Sequence, residues 1–226
     1  MATTVHQRLA RSRRARLLCA MALCASVVVL PQAAGAFSCS STGFAQGPAI
    51  PRTGTANVAQ GLAYWPDRDW LIGSYYDDRP LNDSNRQTKN LLAVVARSSG
   101  RVVKYVMVND PAGRRITGHM GGASVGSGHL WVSAAFGGNN LFAIPLARIA
   151  AASNWTVVTA TKATSVAASS YNSFYAGRLY VGSFTESSAG TLYSYRVGAD
   201  LSLTNRSSVS TPSQVQGLAV TANSYI

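Results

Sequence analysis

Trp70-Leu71-Ile72-Gly73-Ser74, Leu130-Trp131-Val132-Ser133-Ala134 and Leu179-Tyr180-Val181-Gly182-Ser183 spell one pattern three times. Each has two large apolar residues, a β-branched residue and two small ones, a composition that suits a buried strand. A second motif opens each unit: Gln60-Gly61-Leu62-Ala63, Met120-Gly121-Gly122-Ala123 and Gln216-Gly217-Leu218-Ala219. Gly61 and Gly121 are 60 residues apart, and Gly121 and Gly217 are 96 apart, twice 48. Strand units repeating at this spacing predict a propeller or a similar array, in which no unit buries its apolar faces alone. The fold class expected is all-β: a β-propeller of four-stranded antiparallel blades, incomplete, with about three blades and the start of a fourth. Three blades do not close a ring, because propellers typically have 4–8, so the natural product is expected to continue past Ile226.

Working outward, the first unit reads as strands over residues 61–64, 70–76, 91–97 and 101–108. Trp65-Pro66-Asp67-Arg68-Asp69 has the Pro and Asp of a tight turn, and Ser98-Ser99-Gly100 closes a hairpin. A polar insertion over 77–90 lengthens the first interval. The second unit, 118–158, reads as strands over 121–125, 130–135 and 141–145, a short Ala-rich helix over 146–152, and a fourth strand over 155–160. The third unit, 165–207, reads as strands over 179–184, 191–197 and 201–204. The fourth has only an opening strand over 216–221.

The N-terminus reads as an export signal. Arg8, Arg11, Arg13, Arg14 and Arg16 precede an apolar run over 17–30, which Pro31 breaks before Ala34-Gly35-Ala36 supplies a small-x-small cleavage site. The run is too short to span a bilayer as a helix. Domain organisation is then a signal over 1–36, an extended lead-in over 37–56 and the repeat domain over 57–226. Cleavage after Ala36 leaves a secreted, extracellular protein beginning at Phe37, with no stable membrane insertion. Ser12-Arg13-Arg14-Ala15-Arg16-Leu17-Leu18 resembles a twin-arginine signal, except that Arg16 stands where an aromatic residue is usual, so the general secretory and twin-arginine routes both remain open.

Composition narrows the function classes. The formal charge of +12 includes those five arginines; the remaining chain has fifteen basic and eight acidic side chains, a net +7. Apart from Arg114-Arg115 the basic residues are scattered singly, which is not the clustered track of a nucleic-acid surface. Cys39 is the one cysteine left after the signal, too few for a zinc site even with His119 and His129. No phosphate-cradling Gly-rich motif is present. The loop from Tyr76 to Asn85 gathers Asp77, Asp78 and Asp83, but lacks the central Gly and terminal Glu of an EF-hand, and Arg79 and Arg86 offer neutralising partners. No metal or other cofactor is expected.

Gly128-His129-Leu130-Trp131-Val132 and Gly177-Arg178-Leu179-Tyr180-Val181 resemble the Gly-x-Leu-Tyr-Val strand of YVTN-type and lactonase-like secreted bacterial β-propellers. The resemblance implies a propeller fold and no particular chemistry, since propellers host enzymes, lectins and scaffolds. Calcium-dependent lactonase propellers place Glu and Asn ligands in the channel, whereas the single Glu here, Glu186, falls in a turn. Gly122-Ala123-Ser124-Val125-Gly126 spells Gly-x-Ser-x-Gly, but a strand and not a helix follows, so the nucleophile elbow is missing. His119 opens the second unit where Gln60 and Gln216 open theirs. The three form the expected ligand-binding ring at the channel mouth, with no catalytic residue assigned. The function expected is a non-enzymatic module binding an extracellular ligand, polysaccharide or protein; the alternative is a lactonase-like or esterase-like hydrolase at the same mouth. Acids and histidines converging there would mark the enzyme, and aromatics and amides the binding module.

Overall fold

The computed structural model describes residues 47–52, 55–77, 79, 90–135 and 138–226. The expected signal peptide, Cys39 and most of the lead-in and polar insertion lie outside the described residues.

The described chain is all-β, built on three antiparallel sheets taken in sequence order. The first contains β1 (Val58–Trp65), β2 (Trp70–Tyr76), β3 (Leu91–Ala96) and β4 (Val102–Asn109). The second contains β5 (His119–Gly126), β6 (His129–Ala135) and β7 (Asn140–Pro145); after α1 (Leu146–Ala151) and β8 (Thr156–Thr159) it is completed by β9 (Lys162–Ser165). The third contains β10 (Tyr171–Tyr175), β11 (Arg178–Gly182), β12 (Gly190–Val197) and β13 (Leu203–Thr211).

Turn chemistry sets the hairpins. Ser127-Gly128 and Ala176-Gly177 are two-residue connections with φ of 51° and 72°, and 48° and 74°. Two successive positive φ values are what a type I′ turn requires, and its twist matches that of the strands it joins. Pro66–Arg68 makes one 3-10 turn, ended by Asp69 in the left-handed region.

Two cores lie between the sheets. Ile72, Leu92, Val94 and Val106 of the first sheet meet Met120, Leu130, Val132 and Ile144 of the second. Trp131, Leu141 and Ala143 on the other face of the second sheet meet Leu179, Val181 and Tyr195 of the third. The second sheet is therefore apolar on both faces, and β5 lies against β1 on one side and β10 on the other.

Four expectations need correction. The fourth strand of the second sheet is β9, not residues 155–160. β8 instead pairs in parallel with β4 and extends the first sheet to five strands. The Lys104 ammonium donates to the carbonyls of Ile149, Ala150 and Ala152 at the end of α1 (3.2, 2.9 and 2.6 Å), and Trp155 stacks on Tyr105 with centroids 4.8 Å apart. These contacts deliver β8 to the β4 edge, whose backbone groups would otherwise be unpaired. The third unit opens at β10, a strand the sequence reading lacked. The segment 216–221 is not a ladder strand: Val220 makes a single bridge to Tyr225, and Ala219 and Ile226 exchange backbone bonds, so the segment pairs with itself. Finally, the first copy of the repeated motif was aligned one residue out of phase. Pairing across the first hairpin of each sheet makes Leu71, Leu130 and Leu179 equivalent, followed by Ile72, Trp131 and Tyr180. A slip of one residue exchanges the two faces of a strand.

Candidate functional site

The opening strands approach more closely than side chains allow. A Cβ on Gly61 would stand 2.5 Å from the Ala123 nitrogen. One on Gly122 would stand 2.4 Å from the Asn172 nitrogen and 2.8 Å from the Tyr171 Cα. These are backbone atoms and cannot rotate aside, so the glycines of the opening motif are there to let β1, β5 and β10 meet.

Two bulges redirect the groups this approach exposes. The β5–β6 register shifts between Met120 and Ala123, releasing Gly121 and Gly122 from their own ladder. Gly121 O accepts from Ser74 Oγ of the first sheet (2.5 Å), and Gly122 N–H donates to Ser170 O beside the third (3.2 Å). Gly122 O accepts from Asn172 Nδ2 (2.7 Å) and Ser133 Oγ (3.2 Å), while Ser124 Oγ donates to Asn172 Oδ1 (2.5 Å). Ser74, Ser124, Ser133 and Asn172 are all buried, and each of these hydroxyls and amides is satisfied. The buried network ties three sheets at one level. It also disposes of the Gly-x-Ser-x-Gly spelling, because Ser124 lies within β5 and serves Asn172.

The second bulge falls between Ala59 and Gly61, so Gln60 is the extra residue of β1. A bulged residue leaves the ladder and its side chain is re-aimed. Gln60 lines a cavity of about 280 Å³ at the strand openings together with His119, Gly121 and Gln216, and also borders the apolar cavity outside β1 and β2, its amide donating to Ala59 O (3.2 Å). All three sequence-predicted residues thus line one space, each from a different segment: Gln60 from the β1 bulge, His119 from the first position of β5, and Gln216 from the coil after β13. The rest of the lining is Tyr76, Ala135, Ser170 and Phe184. His119 packs against Tyr76 with ring centroids 3.4 Å apart and planes 45° apart. Phe184 is 40% exposed, and its N–H donates to Ser170 Oγ (3.0 Å). The described lining has two carboxamides, one imidazole, one serine hydroxyl and two aromatic rings, and no carboxylate, ammonium or guanidinium.

Sequence reasoning assigned no place in this cavity to Tyr76, Ser170 or Phe184. A signal for Ser170 was present: half the interval from Gly121 to Gly217 points to residue 169. Of the other aromatic residues near strand ends, Trp65, Tyr75 and Tyr171 are buried within the fold and Trp155 stacks on Tyr105. His129 stands at the start of β6, its Nδ1 2.7 Å from Ser127 O. In the acidic loop, Asp77 is buried and held by Arg79 through Nε (2.9 Å) and Nη2 (2.6 Å); Asp78 and Asp83 lie outside the described residues. Among the described residues no three His, Cys, Asp or Glu side chains converge as metal ligands do.

No protein-family model matches the chain, and no curated protein matches it. Among solved structures, the computationally designed Ika4 protein is similar at a TM-score of 0.41 and 10% identity, over 76% of this chain and 85% of that one. The computationally designed Ika8 protein is similar at a TM-score of 0.40 and 10% identity, over 74% of this chain and 42% of that one.

Proposed function

We propose that the three sheets are consecutive blades of a β-propeller, and that the chain is an exported, non-enzymatic module that binds an extracellular glycan or protein at the cavity where the blades open. The single observation that carries this reading is the lining: amides and aromatic rings at the strand openings, with one imidazole and no carboxylate among the described residues. Such groups hydrogen-bond and stack on uncharged polar ligands. A lactonase-like or esterase-like hydrolase needs a general base and an activated nucleophile or metal-bound water in one place, and Ser124, the serine its motif would name, is engaged with Asn172. Export is supported by the arginine-rich start, the uncharged apolar run and Ala34-Gly35-Ala36. No helix among the described residues is long and apolar enough to cross a membrane.

The test is isothermal titration of cello-, chito- and manno-oligosaccharides into the purified protein, its Gln60→Ala variant and its His119→Ala variant. Binding is expected for at least one series. Loss of one hydrogen-bonding group at about 0.5–1.5 kcal/mol weakens it roughly 2–10-fold in each variant. Absence of binding across all three series overturns the glycan reading. Turnover of a lactone or p-nitrophenyl ester that disappears in His119→Ala overturns the non-enzymatic one.

A further inference from the structure

Arg114-Arg115, the adjacent basic pair that composition sets apart, lies on the turn from β4 to β5, outside the lining that holds Gln60, His119 and Gln216. The turn is locked. Asn109 and Arg115 pair in an antiparallel bridge, Asn109 Nδ2 donates to Gly113 O (2.7 Å), and Asp110 N–H donates to Arg114 O (2.8 Å). Asp110 Oδ1 accepts from the N–H groups of Ala112 and Arg114 (2.9 Å each). Its Oδ2 accepts from Nε (2.9 Å) and Nη2 (2.8 Å) of Arg114. The Asp110 carboxylate is thus fully engaged, and Arg114 matches its charge.

Between this turn and the ends of β6 and β7 is a second cavity, of about 370 Å³. Arg114 and Arg115 line it with Thr117 and Asn140, and Asp110 is its one carboxylate among the described residues. Two guanidinium groups against one carboxylate leave a surplus positive charge in the described lining. Arg115 is half-buried, and the buried side chains of Ile116 and Phe142 give the cavity apolar walls. A charge bordered by low-dielectric walls attracts an anion more strongly than one in open water. Ala135, which pairs with His119 across the β5–β6 ladder, lines both this cavity and the one at the strand openings. The two therefore adjoin at one end of the second sheet.

Resting on the proposed binding of a glycan at the strand openings, we propose that this glycan is acidic. One sugar unit occupies the neutral cavity, and a neighbouring uronic acid places its carboxylate in the Arg115 cavity. A guanidinium presents parallel N–H donors that match the two oxygens of a carboxylate. The single surplus charge fits a monoanion better than a phosphomonoester, which carries close to two charges at neutral pH. Thr117 and Asn140 supply a hydroxyl and an amide for the sugar hydroxyls beside it.

The test titrates oligogalacturonate and oligomannuronate, each beside its neutral methyl ester, into the protein and its Arg115→Gln, Arg115→Lys and Gln60→Ala variants. In at least one series the acid should bind about 10–100-fold tighter than its ester at low salt, as a charged hydrogen-bonded pair provides. The difference should shrink as salt is raised. Arg115→Gln should erase the preference, Arg115→Lys should keep part of it, and Gln60→Ala should weaken acid and ester alike. Acid bound no tighter than ester by the parent protein overturns the acidic subsite, a comparison that needs no variant to fold; neutral oligosaccharides that still bind then keep the module standing. A preference that survives in Arg115→Gln overturns its placement in this cavity. Acid binding untouched by Gln60→Ala removes the central cavity as the binding site and, with it, a glycan that spans both.

Discussion

Gly122→Ala is the sharpest test of how the sheets are held together. The added Cβ would meet the Asn172 nitrogen at 2.4 Å, the Tyr171 Cα at 2.8 Å and the Tyr171 carbonyl carbon at 3.0 Å. Ordinary van der Waals contact between such atoms begins near 3.5 Å, so β5 and β10 must separate by about an ångström. Overpacking of this kind costs about 1–3 kcal/mol. The separation also stretches the bonds from Gly122 N–H to Ser170 O and from Asn172 Nδ2 to Gly122 O, each contributing about 0.5–1.5 kcal/mol. Against this, Ala in place of Gly restricts the unfolded chain and returns roughly 0.4–1 kcal/mol. The net expectation is a loss of about 2–4 kcal/mol, a large share of the roughly 5–15 kcal/mol that holds a domain folded. Urea unfolding followed by tryptophan fluorescence reads it as a midpoint lowered by about 1–2 M, for a slope near 2 kcal/mol/M. Gly217→Ala is the internal control: a Cβ there meets nothing within 4 Å and its φ is not in the left-handed region, so its midpoint should match the parent. If Gly122→Ala unfolds within about 0.5 kcal/mol of Gly217→Ala, the close approach of β5 to β10 is not what the opening glycines provide.

Two further outcomes follow from polar side chains inside or at the edge of the first sheet. Burial, reinforced by the neighbouring Tyr105 phenol and opposed by Arg52, pushes Tyr75 from 10.0 up to about 12. The fold therefore favours the neutral phenol: this contribution is whole below pH 10 and is lost as pH rises through 12. Tyrosinate absorbance should show one fewer group titrating late in Tyr75→Phe than in the parent, and an equal number in both would refute the burial argument. Lys104→Met removes the donor to three carbonyls at the end of α1. It should destabilise the protein by about 2 kcal/mol and speed amide exchange in β8 more than in β7; equal exchange in the two strands would show that Lys104 does not deliver β8 to its edge.

Most of the strands from residue 61 to 197 were legible because their signals are local, whereas the last, read over 201–204, runs over Leu203–Thr211. Ser127-Gly128 and Ala176-Gly177 stand where the chain must reverse, and apolar residues on both strand faces mark sheets covered on both sides. Gln60 and His119 lie at sheet openings as the motif suggested, whereas Gln216 lies in the coil after β13 and reaches the same cavity from there. β10 was not legible, because Tyr171-Asn172-Ser173 carries none of the glycines of the other openings; Asn172 answers Gly122 with a side-chain amide instead. The one-residue slip at Trp70 arose because Trp70-Leu71 and Leu130-Trp131 spell alike, and only pairing across the hairpin shows which residue faces which neighbour.

Sequence alone determined that this is a repeating β chain with an arginine-rich, apolar start and few clustered charges, since those properties reside in composition and short-range periodicity. Tertiary structure decided where β8 pairs, which serines are consumed by the Asn172 network, and that Ser170, Tyr76 and Phe184 join the three opening residues around one cavity. Edge pairing, bulge direction and backbone approach are contacts between residues some fifty positions apart, and no local pattern records which of the available neighbours is met.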